Sequence, residues 1–156
     1  MKTYTLERQQ TVPVSVAEAF AFFQNPHNLA RITPPSLGFR IVSEGPVLMR
    51  RGAEIRYRIH VARVPLSWKT VIAEYEPPLG FVDEQADGPY RLWRHRHGFY
   101  PSPAGTIVTD RVEYALPFGW LGRAAHRLFV HRMLRRIFDY RRDTLSRIFA
   151  PAATGR

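Results

Sequence analysis

Hydrophobic and polar residues alternate along most of this chain, and the places where the period changes mark its elements. Residues 3–12 alternate and run into Pro13, which predicts a first strand. Ser15 stands three residues before Glu18, a capping-box spacing that opens the short apolar helix VAEAFAFF. Asn25-Pro26 breaks that helix, and HNLARI predicts a second one, stopped by Thr33-Pro34-Pro35. From residue 38 to 116 the period is two. The alternation is punctuated by Glu44-Gly45-Pro46, Arg51-Gly52, Val64-Pro65, Pro77-Pro78-Leu79-Gly80, Asp87-Gly88-Pro89 and Pro101-Ser102-Pro103-Ala104-Gly105. About six further strands follow, and their short connections require antiparallel pairing.

After Pro117 the spacing becomes helical. Leu121, Ala124, Leu128, Leu134, Ile137, Phe138, Leu145, Ile148 and Phe149 predict one long helix from about 120 to 149. The order predicts an α+β domain over residues 1–150, with a frayed tail at 151–156. A curved antiparallel sheet of about seven strands carries two short helices after the first strand. The C-terminal helix is the one element long enough to cover its apolar face. A strongly curved sheet around a single helix can leave a cavity between them, closed at one end by the short helices. Phe20 and Phe23 are expected on the sheet edge, and one of Phe20, Phe22 and Phe23 at the cavity mouth near Ile32.

Alternation also sorts the strands into faces. Ile55, Tyr57, Ile59 and Val61 are predicted inside, opposite Glu54, Arg56, Arg58 and His60. Placing Lys69 outside puts Trp68, Thr70, Ile72 and Glu74 inside. Phe81, Asp83 and Gln85 form another inner set. In GPYRLWRHRHGFY (88–100), excluding Arg94 and Arg96 from the interior turns Trp93, His95, His97 and Phe99 inward. Val108, Asp110, Val112 and Tyr114 face the same side. Pairing these sets through a six-residue loop, YPSPAG, would set Phe99 opposite Thr106, His97 opposite Val108 and His95 opposite Asp110. So many polar groups on an otherwise aromatic inner surface predict either a mutual network or a wet cavity that receives a ligand.

Composition removes several chemistries. The chain has no cysteine, so disulfides, thiolate metal sites and a cysteine nucleophile are excluded. No GxSxG, GxGxxG or P-loop occurs. The polar N-terminus lacks a signal-peptide core and no apolar run suits a membrane span, so a cytoplasmic location is expected. Net charge is +10, from 21 arginines and 2 lysines against 13 acids. Eight of those arginines lie in residues 119–149, where the acids are Asp139 and Asp143. They read either as the solvated face of the helix or as a contact for an anionic membrane. Nucleic acid is not expected, because the aromatic residues are turned inward rather than displayed on an open groove. His126 and His131 are five residues apart, a spacing that does not share one α-helical face. Oligomeric state is not legible.

The element order and several motifs resemble a known superfamily. NPHNLARITPP (25–35), PLSWKTVI (65–72), FVDEQADGPYRLWRHRHGF (81–99), GT (105–106) and DRVEYALPFGWLG (110–122) carry the resemblance. The chain resembles the helix-grip fold of START-like lipid-transfer domains, plant pathogenesis-related allergens and polyketide cyclase/dehydrase-like proteins. Its likeness extends to the bacterial ligand-binding SRPBCC branch. That resemblance implies a cavity between sheet and helix for a hydrophobic, aromatic or lipid-like small molecule. It does not supply a reaction.

Two roles remain open for the inner polar residues. His95 and Asp110 are a candidate acid–base pair for a cofactor-independent cyclase or dehydratase, because a carboxylate fixes the tautomer of an imidazole and raises its basicity. The same pair equally reads as two buried groups satisfying each other. Tyr57, Trp68, Glu74, Asp83, Gln85, Tyr90, Trp93, His97, Phe99 and Tyr114 are the candidate ligand-binding residues. The HxH pair at 95 and 97 is a weak metal signal, since Trp93 and Phe99 crowd it, and no metal or cofactor is expected.

Overall fold

The computed structural model describes residues 1–151; the expected fraying of residues 152–156 lies outside them. Strand β1 (Tyr4–Val12) leads into α1 (Val16–Gln24) and α2 (Pro26–Arg31), then a single 3₁₀ turn at Pro35–Leu37. Strands β2 (Arg40–Ile41), β3 (Glu54–Val61), β4 (Val64–Glu76), β5 (Gly80–Asp87), β6 (Leu92–Ser102) and β7 (Gly105–Ala115) follow. The chain ends in α3 (Gly119–Ala125), a π-helical turn (His126–Val130) and α4 (His131–Ile148). All seven strands form one antiparallel sheet in the order β1-β7-β6-β5-β4-β3-β2.

Local chemistry accounts for the helix boundaries. The Ser15 hydroxyl accepts from the Glu18 amide at 3.2 Å while the Glu18 carboxylate accepts from the Ser15 amide at 3.4 Å. Asn25 ends α1 and caps α2, accepting from the His27 amide at 3.1 Å, with Pro26 at the first helical position. Helix α4 buries Leu134, Phe138, Arg141, Thr144 and Leu145. It is tied to β1 by Arg8–Asp139 at 3.0 Å and by Gln10, which donates to Arg142 O and Ser146 Oγ at 2.9 Å each.

Four expectations need correction. The β6–β7 hairpin turns at Pro103-Ala104, not through six residues, because pairing continues to Ser102 opposite Gly105. Phe99 therefore faces Val108, His97 faces Asp110 and His95 faces Val112. The slip is two residues, so every side chain keeps its face. The β3–β4 hairpin turns at Ala62-Arg63, with φ of 49° and 67°, and Val64-Pro65 belongs to β4. Two positive φ values in a two-residue loop match the twist of a hairpin.

A register shift between Ile72 and Glu74 marks a β-bulge that turns Glu74 to the outer face, where it pairs with Arg94 and Arg96. Its predicted place in the cavity wall is lost for that reason. Finally, the C-terminal helix contains a π-helical turn. That extra residue per turn brings the His126 and His131 rings to 5.5 Å, although an α-helix would separate them.

Two core clusters occupy the sheet's inner face. Phe20, Ile72, Phe81, Phe99 and Val108 pack beneath α1, and Leu6, Val112, Tyr114, Val130, Leu134 and Phe138 pack beneath the C-terminal helix. A cavity bounded by members of both lies between sheet and helix.

Candidate functional site

The cavity has a volume of about 290 Å³ and a largely apolar wall. Ile55, Tyr57, Ile59 and Val61 reach it from β3, because the alternation of that strand turns them inward. Phe22, Phe23, Leu29 and Ile32 contribute from the short helices, and Met133, Leu134, Ile137 and Phe138 from the C-terminal helix.

One part of the wall is aromatic. Tyr57 and Trp68 stack with centroids 5.7 Å apart, Trp68 meets Trp93 edge-on at 5.3 Å, and Tyr90 lies 4.9 Å from Trp93. Thr70 accepts from Trp68 Nε1 at 3.1 Å, so the buried indole is satisfied within the sheet. Burial, with the Asp83 charge adding to it, raises the Tyr57 phenol, and burial raises Tyr90. Both stay neutral.

The other part is polar. Strand pairing sets Asp83 beside His95 and Phe81 beside His97 on β5–β6, and His97 beside Asp110 on β6–β7. His95 Nε2 lies 2.7 Å from Asp110 Oδ1, and His97 Nε2 lies 2.7 Å from Asp83 Oδ2. The second nitrogens face the opposite carboxylates, His97 Nδ1 at 3.5 Å from Asp110 and His95 Nδ1 at 3.8 Å from Asp83. The two imidazoles and two carboxylates thus alternate around a closed ring, with the imidazole centroids 3.7 Å apart.

Burial alone would raise both carboxyls. The hydrogen bond from His95, its charge and that of Arg141 outweigh burial at Asp110 and hold it well below the usual range. The hydrogen bond from His97 and the charge of His95 do the same for Asp83. Burial and then His95 push His97 down, against the pull of Asp83 and Asp110. With both aspartates ionised, each Nε2 donates to the carboxylate it faces.

The residue that completes this cluster was not singled out from the sequence. Arg141 on α4 lines the cavity and is only 6% exposed. Its guanidinium lies 4.7 Å over the Phe138 ring and 3.6 Å from Asp110 Oδ1, beyond a hydrogen bond. Nε and Nη1 have no hydrogen-bond partner. A signal existed: Arg141 falls three residues after Phe138 and four before Leu145, on the stripe that the helical period assigns to the core.

Of the candidate residues, Tyr57, Trp68, Asp83, Tyr90, Trp93, His95 and His97 line the cavity. Asp110 is buried behind His95. Three others lie elsewhere. Gln85 clamps the β5–β6 loop, donating to Tyr90 O at 2.6 Å and accepting from Tyr90 N at 3.0 Å. Phe99, wholly buried, packs against Phe20 and Phe23 instead of the cavity. Tyr114 pairs through its hydroxyl with His126 Nε2 at 2.9 Å and fills the second core cluster.

Among the described residues, Asp83, His95 and His97 are the group whose donor atoms come close enough to share a metal ion, within 4.8 Å of one another. Zinc, at about 2.0–2.1 Å from each nitrogen, would have to displace the protons that now join these histidines to carboxylates. The donor set can hold a metal only by giving up its hydrogen bonds. No helix among the described residues is long and apolar enough to cross a membrane.

Solved structures with the same architecture include a protein from Thermus thermophilus, 14% identical, covering 98% of this chain and 100% of its own, with a TM-score of 0.72. A protein from Chromobacterium violaceum is 10% identical over 94% and 98% of the two chains, with a TM-score of 0.72. Major latex-like protein 151 from Panax ginseng is 12% identical over 96% and 99%, with a TM-score of 0.69. These likenesses establish the helix-grip fold. No functionally curated protein matches the sequence. The profile of the family described as polyketide cyclase / dehydrase and lipid transport matches residues 12–138, and the chain belongs to that family.

Proposed function

We propose that the protein binds and carries a hydrophobic small molecule, aromatic or lipid-like, with one oxygen-bearing end. The observation that carries this reading is the apolar cavity with Arg141 on its wall, its Nε and Nη1 without hydrogen bonds and its charge only partly met by Asp110 at 3.6 Å. Its volume of about 290 Å³ stands at the lower limit of ordinary small-molecule sites, roughly 300–1,000 Å³. The apolar wall supplies affinity without direction. The guanidinium supplies donors for a carbonyl, hydroxyl or carboxyl oxygen, and the aromatic wall accepts a flat ring or an unsaturated chain. No metal or cofactor is needed for this role. Native mass spectrometry of freshly purified protein, with extraction of whatever is bound, tests it. Recovery of an apolar compound with one polar end supports carriage; failure to bind any apolar probe removes it.

The 2.7 Å His95–Asp110 contact favours a second reading, a dehydratase or cyclase. An imidazole would take the proton α to a carbonyl while Arg141 stabilises the enolate oxygen. The same imidazolium would protonate the departing β-hydroxyl, so that water leaves and a carbon–carbon double bond forms. If His95→Ala and Asp110→Ala variants that remain folded turn over an identified substrate at the wild-type rate, this chemistry is absent.

A further inference from the structure

The segment joining the sheet to α4 leaves large apolar side chains in water. Phe118 is 79% exposed, Trp120 68%, Leu121 54%, Leu128 75% and Phe129 48%. Among the described residues, these five make up nearly half of the chain's eleven exposed large hydrophobics, gathered within twelve positions. Scattered exposed apolar residues need no explanation, but a set gathered in one short segment does.

The backbone points the same way. Phe118 has φ of +67°, a left-handed conformation that a bulky residue adopts only at a cost, and Gly119 follows at +53°. The fold holds an aromatic ring under strain and gains no burial from it. The π-helical turn over His126–Val130 is a second irregularity in the same segment.

Charge decides what covers this surface. No acid occurs between Glu113 and Asp139, whereas Arg123, Arg127, Arg132, Arg135 and Arg136 are all exposed there. A second copy of the chain would set arginines against arginines. An anionic bilayer complements them, takes aromatic rings at headgroup depth and lets arginines reach phosphates. The segment also touches the cavity at both ends, since Leu116 and Phe129 belong to its wall.

We infer that residues 118–129, with the flanking arginines, form a docking surface for an anionic lipid bilayer, placed where a cavity ligand would pass between protein and membrane. The surface does not depend on what the cavity holds.

The test is co-sedimentation of the whole chain with phosphatidylcholine vesicles and with equimolar phosphatidylcholine–phosphatidylglycerol vesicles, at low and high salt. Binding to the anionic vesicles at low salt is expected, weakening with salt and by about fivefold for each of Arg123→Gln and Arg127→Gln. A Phe118→Ser, Trp120→Ser, Leu128→Ser triple variant is expected to weaken it about tenfold or more. A second measurement needs no polar substitution. Brominated lipid should quench wild-type tryptophan fluorescence, and Trp120→Phe should remove that quenching.

No binding at low salt overturns the inference. So does undiminished binding by the triple variant, which would assign attachment to overall basic charge. Dimerisation in sedimentation velocity that the triple variant abolishes would assign the surface to a second copy instead.

Discussion

Replacing Asp110 by asparagine keeps the shape of the polar ring and removes one of its two negative charges. The carboxylate is 7% exposed, takes a hydrogen bond from His95 at 2.7 Å and lies 3.6 Å from the Arg141 guanidinium. A charge-assisted hydrogen bond contributes about 1.5–3 kcal/mol, and breaking a buried ion pair from one side costs about 3–5 kcal/mol. These contributions overlap, so the variant should lose about 3–5 kcal/mol at neutral pH. For a chain of this length that is a fall in Tm of roughly 6–20 °C.

Arg141→Met is the informative partner. It removes a charge whose Nε and Nη1 are already without partners, while Asp110 keeps its bond from His95. Apo stability should change by no more than about 2 kcal/mol, since Arg141 makes no hydrogen bond to Asp110 and its own burial cost is removed with it. Added to Asp110→Asn, it should restore part of the loss, with a coupling of about 0.5–3 kcal/mol. Urea titration of the four proteins measures the cycle. An Asp110→Asn cost below about 1 kcal/mol, or an Arg141→Met change that deepens it, would refute the buried-charge reading.

The sign of the pH dependence is also fixed. The Asp110 pKa is depressed in the fold, so its contribution is present above the unfolded value of about 3.9 and is lost as pH falls through the folded value. Wild type and Asp110→Asn should converge in acid.

His97 is held below its ordinary pKa, so the unfolded chain binds more protons as pH falls from about 6.5 and wild-type stability declines. His97→Gln should flatten that slope in urea titrations between about pH 5 and 7, and an unchanged slope would exclude His97 as its source. A Cβ at Gly80 would sit 2.3 Å from His97 O. Gly80→Ala should therefore cost about 1–3 kcal/mol by forcing β5 from β6, and a normal Tm would contradict it. Ile59 lines the cavity. Ile59→Trp should leave the protein folded and abolish uptake of an apolar fluorescent probe, while undiminished uptake would place the ligand elsewhere.

Much of this molecule is legible from period alone, and the exceptions share a cause. Arg94 and Arg96 cannot be buried unpaired, which fixes the face of Trp93, His95 and His97 although the hairpin register is two residues away from the expected one. Face is set by burial, which repeats every second residue; register is set by where the turn closes. Pro103-Ala104 closes it more tightly than its loop-like composition suggests. Glu74 is misplaced because a bulge is one extra residue of backbone, and alternation carries no mark of it. Its two arginine partners, close in space and remote in sequence, draw it outward. The π-helical turn is hidden for the same reason, and the contact of His126 with His131 with it.

Arg141 differs from these cases, because helical spacing places it on the buried stripe and only its charge argues for solvent. A core position filled by arginine is costly unless something compensates, and inside this protein Asp110 does so incompletely. Phe118, at the other end of the same helical region, is strained and exposed with no internal return. Both residues disfavour the isolated folded chain, and each lies beside or within two residues of the cavity wall. A protein that needed only to be stable would have replaced both at little structural expense. Two such costs flanking one cavity are accounted for together if the missing partners are external: a polar ligand end for the guanidinium, and a lipid surface for the ring.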